Sequence, residues 1–317
     1  KSESKILKFS PELTNTLTDS ELLKNIHYKE LFHSPIQLFS KNDSQTVLKT
    51  VQDSLDSPSI QNRLILLGEK GLGKSTLLSQ VFAYAISNNS VILPISKPEP
   101  LIQGDSDYNY IKDRKFYSQP MYLKKFFRKI LKINHYSKIF QQIVLSNDYL
   151  LGDAVKFGQF VKFPTGKANL LQLIEFAASA KISALDRYKA FEALISELNN
   201  QDQFPVFILV DNFNYITNNP ITMYRSPDNV PLKFTEFQLG SFLKNYISGD
   251  KSFPKGGVFL ATSSDYQTTQ TLSVGLDLQQ NNPYASKKDF DLEWAEILRR
   301  NGGIKPYNLK GFSYNET

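Results

Sequence analysis

Cysteine is absent from this sequence of 317 residues, and histidine (3), methionine (2) and tryptophan (1) are scarce. Without cysteine there are no disulfides and no thiolate metal sites. His27, His33 and His135 are scattered along the chain and argue against a zinc centre. No apolar run approaches the 18 residues that a membrane span needs, so no membrane partner is expected. The sequence begins at Lys1 without methionine, reads as a processed product or a fragment, and is expected to have lost any targeting segment already.

What remains is an ordinary globular composition, 41% hydrophobic and 21% charged, long enough for one large domain or two modest ones. A net charge of +6 is mildly basic and suits a polyanionic partner.

The stretch Arg63 to Ser79 organises the rest. Leu64 to Leu67 reads as a short buried strand. Gly68-Glu69-Lys70-Gly71-Leu72-Gly73-Lys74-Ser75 then fits the phosphate-loop pattern G-x-x-x-x-G-K-[ST] at every fixed position. Thr76, Leu77, Leu78, Val81, Phe82 and Ala85 follow at helical spacing. Glycines let the backbone curl until successive N–H groups face a phosphate, and the helix N-terminus adds positive charge on the same side. Gly68, Lys70, Gly71, Leu72, Gly73, Lys74, Ser75 and Thr76 are the candidate phosphate cradle. Lys74 is expected to reach the β- and γ-phosphates and Ser75 to hold magnesium. A chance glycine-rich turn would lack the strand before and the helix after. The sequence predicts a nucleoside-phosphate binder.

Upstream, Pro11, Ser20, Pro35 and Ser57-Pro58 punctuate short helical pieces, Ser20 to Ile26 and Gln45 to Leu55. In the second, Val47, Leu48, Val51 and Leu55 share a face that should pack on the nucleotide domain. Ser40-Lys41-Asn42-Asp43 looks like the guanine-reading motif of small GTPases, but it precedes the phosphate loop and is read as a coincidence. Val91 to Ile95 forms a second strand, with Pro94 marking its end or an edge position. A Tyr-rich surface excursion follows from Lys97 to Gln119. Met121 to Ile133 is an amphipathic helix with Leu123, Phe126, Phe127, Ile130 and Leu131 on one face. Its other face carries Lys124, Lys125, Arg128, Lys129 and Lys132, either merely solvated or, as the lack of anions there slightly favours, touching an RNA backbone. Between Leu145 and Lys167 a loop mixes Lys156, Phe157, Phe160, Lys162, Phe163 and Lys167, suited to lying on RNA or to plugging a crevice. Helices over Leu170 to Ala180 and Leu185 to Leu198 come next, the second capped by Ser183 with Asp186.

Phe204 to Asp211 is an apolar strand ending in an acid, the Walker B pattern, which would bring Asp211 to the magnesium. The next position is Asn212 where many hydrolysing relatives of this architecture have glutamate, so hydrolysis is expected to be slow or absent, and no side chain is assigned a catalytic role. A helix from Phe234 to Ile247 and a fourth strand over Val258 to Thr262 follow. The hydroxyls of Thr262, Ser263 and Ser264 either sense the γ-phosphate or form a simple turn. Nothing in the sequence places Arg225, a possible charge clamp. From Tyr266 to Thr317 the chain reads as an irregular tail without a fifth strand, interrupted by a helix over Phe290 to Arg300 that holds Trp294. It lacks the closing helical region expected after Gly311, so the chain is expected to stop early or to lack its remainder.

Taken together, LLGEKGLGKSTLL, VILPISKPEPLIQ, YNYIKDRKFYSQPMYLKKF, FPVFILVDNFNYI and KGGVFLATSS resemble the death-associated protein 3 family, nucleotide-binding proteins of the mitochondrial ribosome's small subunit. The match runs from about Arg63 to Ser264 and more loosely to Tyr314. The Tyr-rich stretch before QP and the Asp-Asn Walker B carry it better than the widely shared phosphate loop. The resemblance implies an α/β P-loop NTPase fold of AAA-like kind, with a parallel sheet between helices and a basic helical insertion. It implies bound GTP or GDP (ATP being the alternative) with Mg2+, phosphates held by Gly68, Gly71, Gly73, Lys74 and Ser75, and Asp211 facing the metal. Small-subunit ribosomal RNA, other mitochondrial ribosomal proteins and large-subunit bridge partners would be the neighbours, in the mitochondrial matrix. The expected organisation is an extension over 1–60, a nucleotide domain over 61–265 with an insertion near 97–168, and the tail over 266–317. An AAA or STAND-type ATPase and a GTPase switch are the rival readings. Asn212 counts against the first, and the lack of a late N-K-x-D against the second.

Overall fold

Continuous apolar runs with no polar alternation belong in a parallel sheet covered on both faces, and the computed structural model has one. It describes residues 5–22, 36–39, 42–112, 114–135, 138–152, 160–180, 182–284, 286 and 289–310. Five strands, β1 (Arg63–Leu67), β2 (Val91–Ile95), β3 (Val206–Val210), β4 (Gly256–Ala261) and β5 (Lys305–Asn308), pair in parallel in the order β5-β1-β4-β3-β2. Strands β1 to β4 are buried throughout.

Besides the single turn Ile139–Gln142, the α-helices among the described residues are α1 (Pro11–Asp19), α2 (Asp43–Ser54), α3 (Lys74–Ser87), α4 (Pro120–His135), α5 (Leu170–Ala178), α6 (Ala184–Asn200), α7 (Phe213–Asn218), α8 (Gln238–Ile247), α9 (Gln270–Gly275) and α10 (Leu292–Arg299). One face of the sheet, presenting Leu64, Leu66, Ile92, Phe207 and Phe259, packs on α1, α2 and α3 through Leu17, Val47, Val51, Leu78 and Phe82. The other, presenting Ile65, Leu93, Ile208 and Leu260, packs on α4, α5, α6, α8 and α10. Each fully buried aliphatic side chain contributes about 1.5–3 kcal/mol of burial free energy. The α/β architecture with a helix-flanked parallel sheet is therefore as the sequence predicts.

Side chains make contacts at both sheet edges. Beside β2, Asn134 of α4 acts as a strand partner: its Oδ1 accepts from Ile92 N at 3.0 Å and its Nδ2 donates to Ile92 O at 3.1 Å. Pro94 sits in this edge strand, as anticipated. At β5 the Tyr307 hydroxyl donates to Asp43 at 2.9 Å, which ties that edge to the start of α2.

Three expectations are corrected. The region from Tyr266 onward is not an irregular tail: besides the expected helix around Trp294, seen as α10, it holds α9 and the fifth strand, and Trp294 is buried against Phe213 and Phe234. Lys-Pro-Tyr-Asn lacks an apolar run because an edge strand buries little. Near the N-terminus a helix occupies Pro11–Asp19, with Ser10 as N-cap, Pro11 in its first turn and Ser20 as its C-cap. Proline there starts the helix instead of breaking it. The predicted helical piece over 20–26 lies mostly outside the described residues.

The third correction concerns α4. Its apolar face is buried as predicted, at Leu123, Phe126, Phe127 and Ile130. Three of its five cations, however, meet protein partners: Lys129 pairs with Glu21 at 2.7 Å, Lys132 with Asp19 at 3.1 Å, and Arg128 donates to Ala178 O. The anions missing from the helix itself come from the end of α1 and the turn beyond it.

Candidate functional site

At the carboxyl ends of β1, β3 and β4 the chain converges on one lysine. The loop after β1 turns through positive φ at Gly68, Gly71 and Gly73 (143°, 86° and 88°), a backbone path that side-chain-bearing residues resist. It delivers Lys74, only 6% exposed, to the first position of α3. The Lys74 ammonium donates to Gly68 O at 2.7 Å, Glu69 O at 2.8 Å and Ser264 Oγ at 2.9 Å. It is thereby clamped to its own loop and to the end of β4. Among the three hydroxyls after β4, Ser264 is the one that meets this lysine. Thr262 donates to Leu66 O, and Ser263 to Asp265.

Ser75 donates to Asp211 Oδ1 at 3.2 Å, joining the first turn of α3 to the end of β3. Asp211 is 1% exposed, and its Oδ1 also accepts from Asn212 N at 2.9 Å. The hydroxyl and the carboxylate named from sequence are thus in contact across 136 residues of chain. Lys70 stands outward, facing Asp265 at 3.6 Å, while Leu72 packs partly on the α3 core. Thr76 occupies the third position of α3, half-buried.

Two residues that sequence reasoning overlooked complete the site. Glu99 lies in a short turn four residues beyond β2. Its Oε1 accepts from Asn212 Nδ2 at 2.8 Å and from the Tyr266 hydroxyl at 3.0 Å. Burial and the neighbouring Glu99 push the Tyr266 phenol up to about 12, so its hydroxyl stays a donor at neutral pH. Glu99 Oε2 and Asn212 Oδ1 are both enclosed and have no hydrogen-bond partner. No motif points to Glu99, because its relevance comes from β2 lying beside β3.

Other expectations fall elsewhere. Arg225 donates to Asn229 O in the turn of an exposed hairpin. Asp43, from the tetrapeptide read as a coincidence, braces β5 through Tyr307 and Lys310 N; Ser40 and Lys41 lie outside the described residues. In the basic-aromatic loop Phe163 is buried against Phe176, whereas Phe160 is 54% exposed. Lys156 and Phe157 also lie outside the described residues.

Comparison with known proteins agrees along nearly the whole chain. The sequence profile of the family described as mitochondrial ribosomal death-associated protein 3 matches residues 38–317. The small ribosomal subunit protein mS29 of Schizosaccharomyces pombe is 27% identical over 318 residues, covering 98% of this chain and 63% of that protein. Its namesake in Neurospora crassa is 24% identical over 320 residues, covering 94% of this chain and 64% of that protein. The chain therefore spans under two thirds of the length of these relatives.

Proposed function

Because the chain belongs to the mitochondrial ribosomal death-associated protein 3 family, we propose that it is a structural protein of the mitochondrial ribosome's small subunit that keeps a nucleotide as part of its fold. The nucleotide is GTP or GDP with magnesium, ATP being the alternative, and the domain is a P-loop NTPase fold of AAA-like kind. It acts in the matrix, against small-subunit ribosomal RNA, neighbouring ribosomal proteins and large-subunit bridge partners. The names of the two relatives support the ribosomal part.

The observation that carries the nucleotide reading is the constellation of Lys74, Ser75 and Asp211. The residues present fit the group. A glycine-turned loop opening a helix offers main-chain N–H groups to phosphate oxygens, and α3 has no side-chain cap at that end. Lys74 would exchange its Ser264 bond for a phosphate while keeping its loop carbonyls. Ser75 and Asp211 would hold magnesium, whose charge offsets that of the phosphates. A ligand kept at a hundred times its Kd stabilises the fold by ~2.7 kcal/mol without turnover. That suits a structural cofactor.

For contact with neighbours, the hairpin of Ile221–Arg225 and Pro231–Lys233 exposes Ile221, Met223 (74%) and Val230. Of the basic side chains of α4, Lys129 and Lys132 are less available to RNA, given their ion pairs.

The test is to introduce Lys74→Ala and follow two things together: nucleotide extracted from native particles and identified by mass, and sedimentation of the chain with the small subunit. The account expects both to fall. Normal assembly around an empty site would refute the cofactor role.

A further inference from the structure

The glutamate that Asn212 displaces from the end of β3 has a counterpart one strand away. Strands β2 and β3 are paired neighbours, so the turn after β2 opens beside Asp211 and Asn212. Glu99, in that turn, is held at one oxygen by two donors, Asn212 Nδ2 and the Tyr266 hydroxyl. Tyr266 is itself braced against Tyr215, with ring centroids 4.8 Å apart. The carboxylate is therefore fixed in orientation.

Two acceptors are left over, Glu99 Oε2 and Asn212 Oδ1, both sealed from solvent. An acceptor buried without a donor is costly to keep. They belong to two side chains that hydrogen-bond to each other, so they lie close together. Asn212 is also held in the left-handed region, at φ 55°, with its backbone N–H turned onto Asp211 Oδ1. Strain and unpaired acceptors kept together, one residue beyond the candidate magnesium carboxylate, mark a place built for a ligand. Two acceptors with no donor are complementary to a molecule that donates two hydrogens, and water is the smallest that does.

Resting on the phosphate-loop reading above, we propose that Glu99 is the water-orienting carboxylate of a slow nucleoside-triphosphatase, taking the role that the residue after Asp211 cannot fill. Water held by Glu99 Oε2 and Asn212 Oδ1 attacks the terminal phosphorus. A new O–P bond forms as the bond to the β–γ bridging oxygen breaks, and that oxygen leaves with its electron pair on the nucleoside diphosphate. The water's proton passes to Glu99 Oε2 and from there to the released phosphate. Asn212 becomes a positioning residue that locks the carboxylate.

The 317-residue chain is assayed with Mg-GTP and Mg-ATP for phosphate release, and with Mg-GDP and Mg-ADP, with and without aluminium fluoride, for binding. Wild type is expected to turn over slowly but measurably with at least one triphosphate, and to bind the matching diphosphate more tightly when aluminium fluoride is present. Glu99→Gln puts a donor where the free acceptor was. It should lower turnover about a hundredfold and abolish the aluminium fluoride gain, with diphosphate affinity and Tm nearly unchanged. Glu99→Ala should give the same fall in turnover. Wild-type binding without turnover, or full turnover in both variants, overturns this proposal alone. Failure of wild type to bind any of the four nucleotides overturns the phosphate-loop reading as well.

Discussion

The two ends of one sheet hold their polar groups differently. At the amino ends of the strands the side-chain donors of Arg63 and Asn62 find protein acceptors, although the Ser90 hydroxyl, just before β2, is buried without one. Arg63, 2% exposed, donates to Ile60 O at 3.0 Å, Ile247 O at 2.8 Å, Arg300 O at 3.2 Å and Asn301 O. Asn62 Nδ2 reaches Ser57 Oγ at 2.7 Å and Gly256 O at 3.0 Å. At the carboxyl ends the backbone turns through positive φ at Gly68, Gly71, Gly73 and Asn212, and two buried acceptors stay unpaired. The same five strands thus carry one end where Arg63 and Asn62 bind the chain together and one where the phosphate loop, Glu99 and Asn212 gather acceptors and turned backbone. The difference teaches where stability and function separate in this molecule: a buried polar group with all its partners rigidifies, and one without them waits for something.

Breaking the Arg63 end should have the largest effect. Burial lowers the Arg63 guanidinium pKa from its usual value, with Asp250 opposing, yet it remains a cation held by four carbonyls. Arg63→Met leaves those carbonyls unpaired and should lower stability by about 4 kcal/mol in urea unfolding. Nucleotide affinity of the molecules that remain folded should not change. If that affinity fell in step, the two ends would not be independent.

A smaller effect sharpens the comparison through pH. Glu293 binds Lys233 at 2.9 Å and Lys244 at 3.0 Å, which locks α10 to α8 and the nearby hairpin. Burial raises its pKa, but the two lysines outweigh that and hold it below the ordinary 4.5. A depressed carboxylate contributes stability above its unfolded pKa and loses it as pH falls through the folded value. Glu293→Gln should therefore lower Tm by about 2–4 °C at pH 7 and leave it unchanged near pH 3. An equal loss at both pH values would contradict the linkage.

The smallest effect belongs to Ser264 at the phosphate-loop end. Ser264→Ala removes one of the three bonds to Lys74 and should change nucleotide affinity by about threefold at most, with Tm within a degree or two. A large loss would make Ser264 a direct phosphate ligand.

How much of this was legible in the sequence differs between the same two ends. The glycine loop, Lys74, Ser75 and Asp211 could be named because their spacing is set by local geometry: strand, tight turn, helix, and an acid at a strand's end. The buried runs gave β1 to β4 for the same reason. Strand β5 was hidden because Lys305, Pro306 and Asn308 are exposed, and an edge strand needs no apolar pattern. Glu99 sits in Lys-Pro-Glu-Pro, which reads as a surface turn, and gains its meaning only from strand order. The cations of α4 pointed toward RNA because their partners, Asp19 and Glu21, lie more than a hundred residues away in sequence.

Calorimetric titration of the chain and of its Lys74→Ala variant with Mg-GTP, Mg-GDP and Mg-ATP tests the central claim most directly. The account predicts one site per chain for wild type and an affinity about a hundredfold weaker in the variant, equal to roughly 2.7 kcal/mol. Equal affinities in the two proteins, or no binding to wild type, would contradict it.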